Sequence, residues 1–191
     1  MKRLGVSFWL GALLVGTILL VAALAVVWTP HDPTAIHIAN RHAPPSAAHW
    51  LGTDALGRDI ASLLMVGAQT SMQVAFLSVG LGGLLGTALG LLASARGGWT
   101  EEAVMRLADV GFAFPALLFA IMLAAAFGPS FANAVLAIAF IVVPTVARVV
   151  RATANQIWAR DYVRAAQAVG HSRLAITRKH VLPNVAPILT V

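Results

Sequence analysis

Imidazole is the commonest side-chain ligand for transition metals, and this sequence places His31, His37, His42 and His49 within one short stretch. Their successive spacings of 6, 5 and 7 residues match no metal-ligand motif, in which paired ligands usually stand about two to five apart. They read as solvated loop histidines, and no metal site is expected. Nucleophilic and phosphate chemistry also lacks a motif: there is no Gly-x-Ser-x-Gly, no His-Glu-x-x-His and no Gly-x-x-x-x-Gly-Lys. Cysteine is absent, which removes disulfides, thiolate nucleophiles and cysteine-based metal sites. No catalytic residue, cofactor site or metal ligand is therefore expected.

Composition explains why. Of 191 residues 59% are hydrophobic and 10% charged, and mean hydropathy is +0.84. A soluble domain usually carries about 25% charged residues, so too little polar side chain is present to cover a globule, and a soluble enzyme is excluded. The formal charge of +6 would suggest a nucleic-acid partner in a soluble protein. In a membrane protein it points first to loops of unequal charge, and no nucleic acid is expected.

Formal charge is missing between Arg3 and Asp32, between Asp59 and Arg96, and between Asp109 and Arg148. A bilayer core of about 30 Å takes about 20 helical residues to cross. The first gap predicts one span at about 8–28, and the second one at about 72–95 after a more polar stretch holding a short helix. The third predicts two, at about 112–127 and 133–150, turning at Gly128-Pro129-Ser130. An apolar stretch from about 184 reads as the start of an unfinished fifth helix. The fold class is thus an all-α polytopic membrane protein with four complete transmembrane helices and the opening of another. Lys2 and Arg3 before an apolar run with Ala23-Leu24-Ala25 imitate a signal peptide, but the run continues to Trp28, which favours an uncleaved anchor.

Eleven of the thirteen basic residues fall on one side of this arrangement, with Arg41 and Arg58 alone on the other. The positive-inside rule then puts the N-terminus and residues 151–183 in the cytoplasm and residues 29–71 outside. Two regions follow: residues 1–71, anchor plus outer segment, and residues 72–191, the core spans with a cytoplasmic loop at 152–183.

Gly82, Gly86 and Gly90 recur every four residues and line one helix face that another backbone can approach closely. Packing within the chain is the commoner outcome of such a stripe, and a subunit interface is the alternative. Pro115 and Pro144 inside apolar runs mark bends and are candidate hinges. Arg148 and Arg151 share a face on the last turn of the fourth span and read as headgroup anchors. Asp109 reads as a helix-start residue. No acidic residue lies inside a span, which argues against a proton- or sodium-coupled transporter. The cytoplasmic loop predicts a helix over 152–169, a stop at Gly170, a second short helix over 172–180 capped by Ser172, and Pro183 before the next apolar run. On composition alone this loop could equally lie on anionic lipid.

The loop resembles the signature of membrane subunits of ABC importers: Glu-Ala-Ala, three residues, Gly, nine residues, Ile, one residue, Leu-Pro. Here Arg164-Ala165-Ala166 is followed by three residues and Gly170, then nine residues, His180, Val181 and Leu182-Pro183. Both spacings are intact, while Arg164 replaces the acidic residue and His180 the isoleucine. A second block, His49-Trp50-Leu51-Gly52-Thr53-Asp54 with Leu56-Gly57-Arg58-Asp59, resembles the dipeptide, oligopeptide and nickel permeases. Gly67-Ala68, Ser71, Phe127-Gly128-Pro129-Ser130, Ala147-Arg148 with Arg151, and Asp161-Tyr162-Val163 extend the likeness, and Leu63, Val66 and Gln69 depart from it.

The resemblance implies a six-helix subunit of the bacterial inner membrane, of which this chain would hold the first part. It implies a second homologous permease subunit, two ABC ATPase subunits and an extracytoplasmic solute-binding protein as partners, besides the lipid bilayer. The signature loop would be the coupling helix that docks on an ATPase, with Asp161, Tyr162, Arg164, Ala165, Ala166, Gly170, Arg173, Leu182 and Pro183 as its named positions. ATP would be hydrolysed by the partners, so the subunit is not itself an enzyme. Small peptides are the implied solute, with nickel or another small solute as alternatives. A non-transporting truncated fragment and an ATP-independent secondary transporter are the readings from other classes.

Overall fold

The computed structural model describes the chain from Gly5 to Thr190, the side chain of Thr190 excepted. Lys2, Arg3 and Val191, which entered the charge count and the unfinished-helix reading, lie outside the described residues. Among those residues the structure is helical, and one isolated antiparallel bridge joins Thr53 and Asp59. The chain separates into two compact units, Met1–Ala75 and Phe76–Val191, with the boundary inside one long helix.

The first unit begins with α1 (Val6–Leu24), whose 19 residues reach about 28 Å at 1.5 Å per residue. Its residues are apolar all round and nearly all exposed, as a lipid-facing helix requires. The helix stops four residues before the expected Trp28. Val26 and Val27 are β-branched and Trp28 bulky, and they lead to Thr29-Pro30, where the proline disfavours helix in the residue ahead of it. A looped segment with one 3₁₀ turn, Ile38–Asn40, follows and leads into α2 (Ile60–Arg96).

α2 corrects the expectation of a short helix ahead of a span starting near 72. It is one helix of 37 residues, about 55 Å long. The more polar stretch ahead of residue 72 does not break it, because Thr70 returns its hydroxyl to the Val66 carbonyl one turn back, at 2.9 Å, and no proline intervenes.

In the second unit Gly97 (φ +64°) and Gly98 (φ +53°) turn the chain from α2 into α3 (Gly98–Ala113). Here the expected span at 112–127 is also corrected. α4 (Ala116–Phe127) has only 12 residues, and α3 and α4 meet at a bend of 82°. Pro115 causes it: Phe114 ahead of it is forced into extended backbone (φ −84°, ψ 121°), which ends α3. Gly128 (φ +80°) then turns the chain, and Ser130 caps α5 (Phe131–Trp158) by accepting from the Asn133 N–H. Pro144 is buried within α5, which continues through it.

α5 outlasts its expected end at 150 by eight residues, and the single helix expected over 152–169 is divided. Arg160 is extended (ψ 146°), and α6 (Asp161–Ala168) starts afresh after it. Next come α7 (Arg173–Ile176), a π turn over Thr177–Val181, α8 (Leu182–Val185) and a 3₁₀ stretch over Ala186–Thr190. Three helices, α1, α2 and α5, are long and apolar enough to cross a membrane, and a fourth span is reached if the bent α3–α4 pair counts as one.

Candidate coupling surface

α6 has two faces set by helical spacing. Val163 points inward and is fully buried among Val150, Ala154 and Ile157 of α5 and Ile176, Val181 and Val185, with Ala166 packed beside it. Arg164, Ala165 and Gln167 face outward. Asp161 lies in the first turn, where the amide dipoles favour a carboxylate. Tyr162 meets the His180 ring edge-on at 6.0 Å, joining α6 to the turn before α8. Arg164 has no ion-pair partner among the described residues.

Gly170 ends the element. Its φ of +89° admits a side chain only under strain, and it closes a Schellman cap: His171 N–H donates to the Ala166 carbonyl (3.1 Å) and Gly170 N–H to that of Gln167 (2.9 Å). Ser172 then caps α7 through the Ala175 N–H. Arg173 donates to the carbonyls of Ala95 and Arg96 at the C-terminus of α2, where the dipole favours a cation, and its guanidinium lies 6.0 Å from the Trp158 ring. Its charge is thus used inside the chain. Leu182-Pro183 opens α8, and since Pro183 brings no N–H to the Lys179 carbonyl, the preceding turn widens to π geometry. Val169 and Leu174, each 80% exposed, leave apolar side chains beside the outward face of α6.

This element is fastened to α5, and α5 to the rest of its unit. A Cβ at Gly82 would stand 2.6 Å from the Val142 side chain, at Gly86 2.7 Å from the Val143 carbonyl oxygen, and at Gly90 2.6 Å from that of Ala147. The glycine stripe therefore holds α2 in backbone contact with α5. Arg148 and Arg151 are not headgroup anchors as expected. Arg148 pairs with Asp109 (2.6 Å) above the Phe112 ring, and Arg151 pairs with Glu101 (2.5 Å), which also accepts from Asn155 (3.1 Å). Asp109 differs correspondingly: α3 begins at Gly98, so this carboxylate sits in its closing turns, against the dipole, and takes Arg148 as its cation.

In the first unit the block from His49 to Asp59 folds into a knot around two carboxylates. Asp54 accepts from the N–H groups of Leu56 (2.8 Å) and Arg58 (2.9 Å) and pairs with the Arg58 guanidinium (2.7 Å). Asp59, its side chain 1% exposed, accepts at Oδ2 from the Ser62 N–H and hydroxyl, both at 2.8 Å. Its Oδ1 faces His49 Nδ1 at 3.0 Å and His31 Nδ1 at 3.8 Å. Burial pushes the Asp59 carboxyl up, but the bonds from Ser62 N–H, His49 and the Ser62 hydroxyl outweigh it and hold the pKa below its ordinary value. Linear spacing gave no sign of this cluster. Its one sequence signal is Asp59 directly before a helix with Ser62 three residues on, a capping pattern rather than a ligand motif.

A family model described as "binding-protein-dependent transport system inner membrane component" matches residues 82–191, more than half of the chain. The chain is 39% identical over 178 residues to a probable D,D-dipeptide transport system permease protein of Escherichia coli (strain K12), covering 91% of this chain and 60% of that protein. It is 38% identical to a dipeptide transport system permease protein of Alkalihalophilus pseudofirmus, covering 94% and 59%. A glutathione transport system permease protein of Pectobacterium atrosepticum is 40% identical over 147 residues, covering 77% and 49%. The chain thus spans about 60% of the length of the first two of these relatives. With two motif blocks in their spacing, helices apolar and long enough to span a membrane, and these matches, this chain is a membrane protein that belongs to the family of binding-protein-dependent transport system inner membrane components.

Proposed function

We propose that the chain is part of the permease subunit of an ATP-driven importer of small peptides, and that residues 161–183 transmit movement from partner ATPases to the membrane helices. The carrying observation is the two-faced α6: Val163 roots it in the end of α5, while Arg164 and Ala165 stay free for a partner. A helix seated this way moves with α5 as one body, so a push on its outer face is delivered to a spanning helix. Ala165 is small enough to let a partner's surface come close. Support for peptides as cargo comes from the relatives, named for dipeptide and glutathione transport.

The working assembly would hold a second homologous permease, two ATPase subunits that hydrolyse ATP, and an extracytoplasmic solute-binding protein. The N-terminus and the 161–183 element would then face the cytoplasm, consistent with the basic residues gathered there. ATP binding closes the ATPase pair, and the docked elements carry the spans between outward-open and inward-open states. Gly170→Arg in the full-length subunit, reconstituted with its partners, tests this. Uptake of a labelled dipeptide and co-purification of the ATPases should both be lost, with membrane insertion unchanged. A variant that still couples ATP hydrolysis to uptake would overturn the assignment.

A further inference from the structure

We propose that His31, His49 and Asp59 form a binding site for one divalent transition cation of the zinc type. The three come from separate places: the segment after α1, the loop before the Thr53–Asp59 bridge, and the residue directly ahead of α2. Their ligand atoms lie within 4.8 Å of one another. At Zn–N bonds of about 2.0 Å, tetrahedral ligand atoms stand about 3.3 Å apart. The separations of His49 Nδ1 and His31 Nδ1 from Asp59 Oδ1, 3.0 and 3.8 Å, bracket that value.

The carboxylate is oriented as a ligand would be. Ser62 occupies Oδ2 with two donors, which leaves Oδ1 turned toward the imidazoles. Ser62 also accepts the His31 backbone N–H at 3.0 Å, so one side chain fixes two of the three ligands from behind. The rings of His31 and His49 lie 4.7 Å apart and tilted by 36°, presenting their nitrogens to the same oxygen. Two imidazoles and one carboxylate are the ligand set of open zinc sites, and His31, 43% exposed, leaves a path for the ion and a fourth position for water. A metal takes imidazole through an unprotonated nitrogen, so the ring proton of His49 would sit on Nε2 and leave Nδ1, which faces Asp59, for the ion. Bound there, it would tie the end of α1 to the start of α2 within the first unit.

The full-length chain, purified in its native assembly and stripped with chelator, should take up one Zn²⁺ at this site. Co²⁺ in its place should give the visible absorption of a tetrahedral ion. His31→Ala should weaken Zn²⁺ binding by about a hundredfold, and Ser62→Ala by about tenfold, while His37→Ala leaves it unchanged. X-ray absorption of the zinc-loaded wild-type protein supplies a readout independent of how the variants fold, with two imidazole ligands expected at about 2.0 Å. Equal affinity in wild type and His31→Ala, no saturable binding, or a spectrum without imidazole scattering overturns the assignment, and the cluster is then an imidazole–carboxylate contact only.

Discussion

Arg151 and Glu101, fifty residues apart in the chain, meet with 2.5 Å between guanidinium nitrogen and carboxylate oxygen. The contact binds α5 to the first turn of α3, and Asn155 one turn further along α5 adds a second donor to the same oxygen. Both side chains are largely shielded, so neither is fully solvated when its partner is removed. Glu101→Ala is expected to destabilise the α3–α5 packing by about 1–3 kcal/mol, read as a lower unfolding temperature in detergent. Swapping the pair, Glu101→Arg with Arg151→Glu, should recover part of the loss. If the double variant is no better than the worse single one, the pair is not what joins these helices.

Within α2 the glycines are not equivalent. Gly86→Ala would place a Cβ 2.7 Å from the Val143 carbonyl oxygen, forcing α2 away from α5 at a cost of about 1–3 kcal/mol. Gly83→Ala meets nothing within 4 Å and should be neutral or stabilising by about 0.5–1 kcal/mol, since alanine loses less backbone entropy in a helix. Thermal unfolding of the two variants side by side checks the order, and an equal response would mean that α2 and α5 are not in backbone contact there.

On α6 neighbouring positions separate stability from the proposed docking. Val163→Ala empties part of a fully buried cluster and should cost about 1.5–3 kcal/mol of stability. Arg164→Ala, at an exposed position with no ion pair among the described residues, should leave stability within about 0.5 kcal/mol while lowering ATPase docking, which a pull-down against the ATPase subunit measures. Were Arg164→Ala to unfold the protein, or Val163→Ala to be silent, the two faces would be wrongly assigned.

Acid should loosen the knot around Asp59 in one direction only. The Asp59 pKa lies below its ordinary value of 3.8, so its contribution is full above that value and is lost as pH falls through the folded pKa. Hydrogen exchange over residues 43–62, corrected for intrinsic rates, should therefore stay flat near neutrality and rise only below 3.8. Asp59→Asn should already exchange fast at neutral pH and show no further acid step. Opening that starts as pH rises would contradict the sign.

Much of the 161–183 element is legible because it depends on local chemistry. Gly170 adopts the positive φ that its place after a helix calls for, and Ser172 caps the next turn as its hydroxyl and position predict. Helix ends were read less well. The more polar stretch ahead of residue 72 suggests a boundary, yet a helix tolerates it when a threonine hydroxyl can return to its own backbone. Pro115 inside an apolar run marks a bend, but its size, 82° between α3 and α4, is not written in the local sequence.

Sequence by itself determined that this is a helical membrane protein of the binding-protein-dependent permease family, because apolar run length, charge asymmetry and motif spacing are properties of a linear chain. Tertiary structure alone decided which charges meet. Arg148 with Asp109, Arg151 with Glu101, and the two imidazoles with Asp59 are separated by loops whose closure no linear period encodes. A histidine 28 residues from a carboxylate becomes its neighbour only after the intervening segment has folded back on itself, and that path is set by the turns and backbone bonds around Gly52 and Gly57.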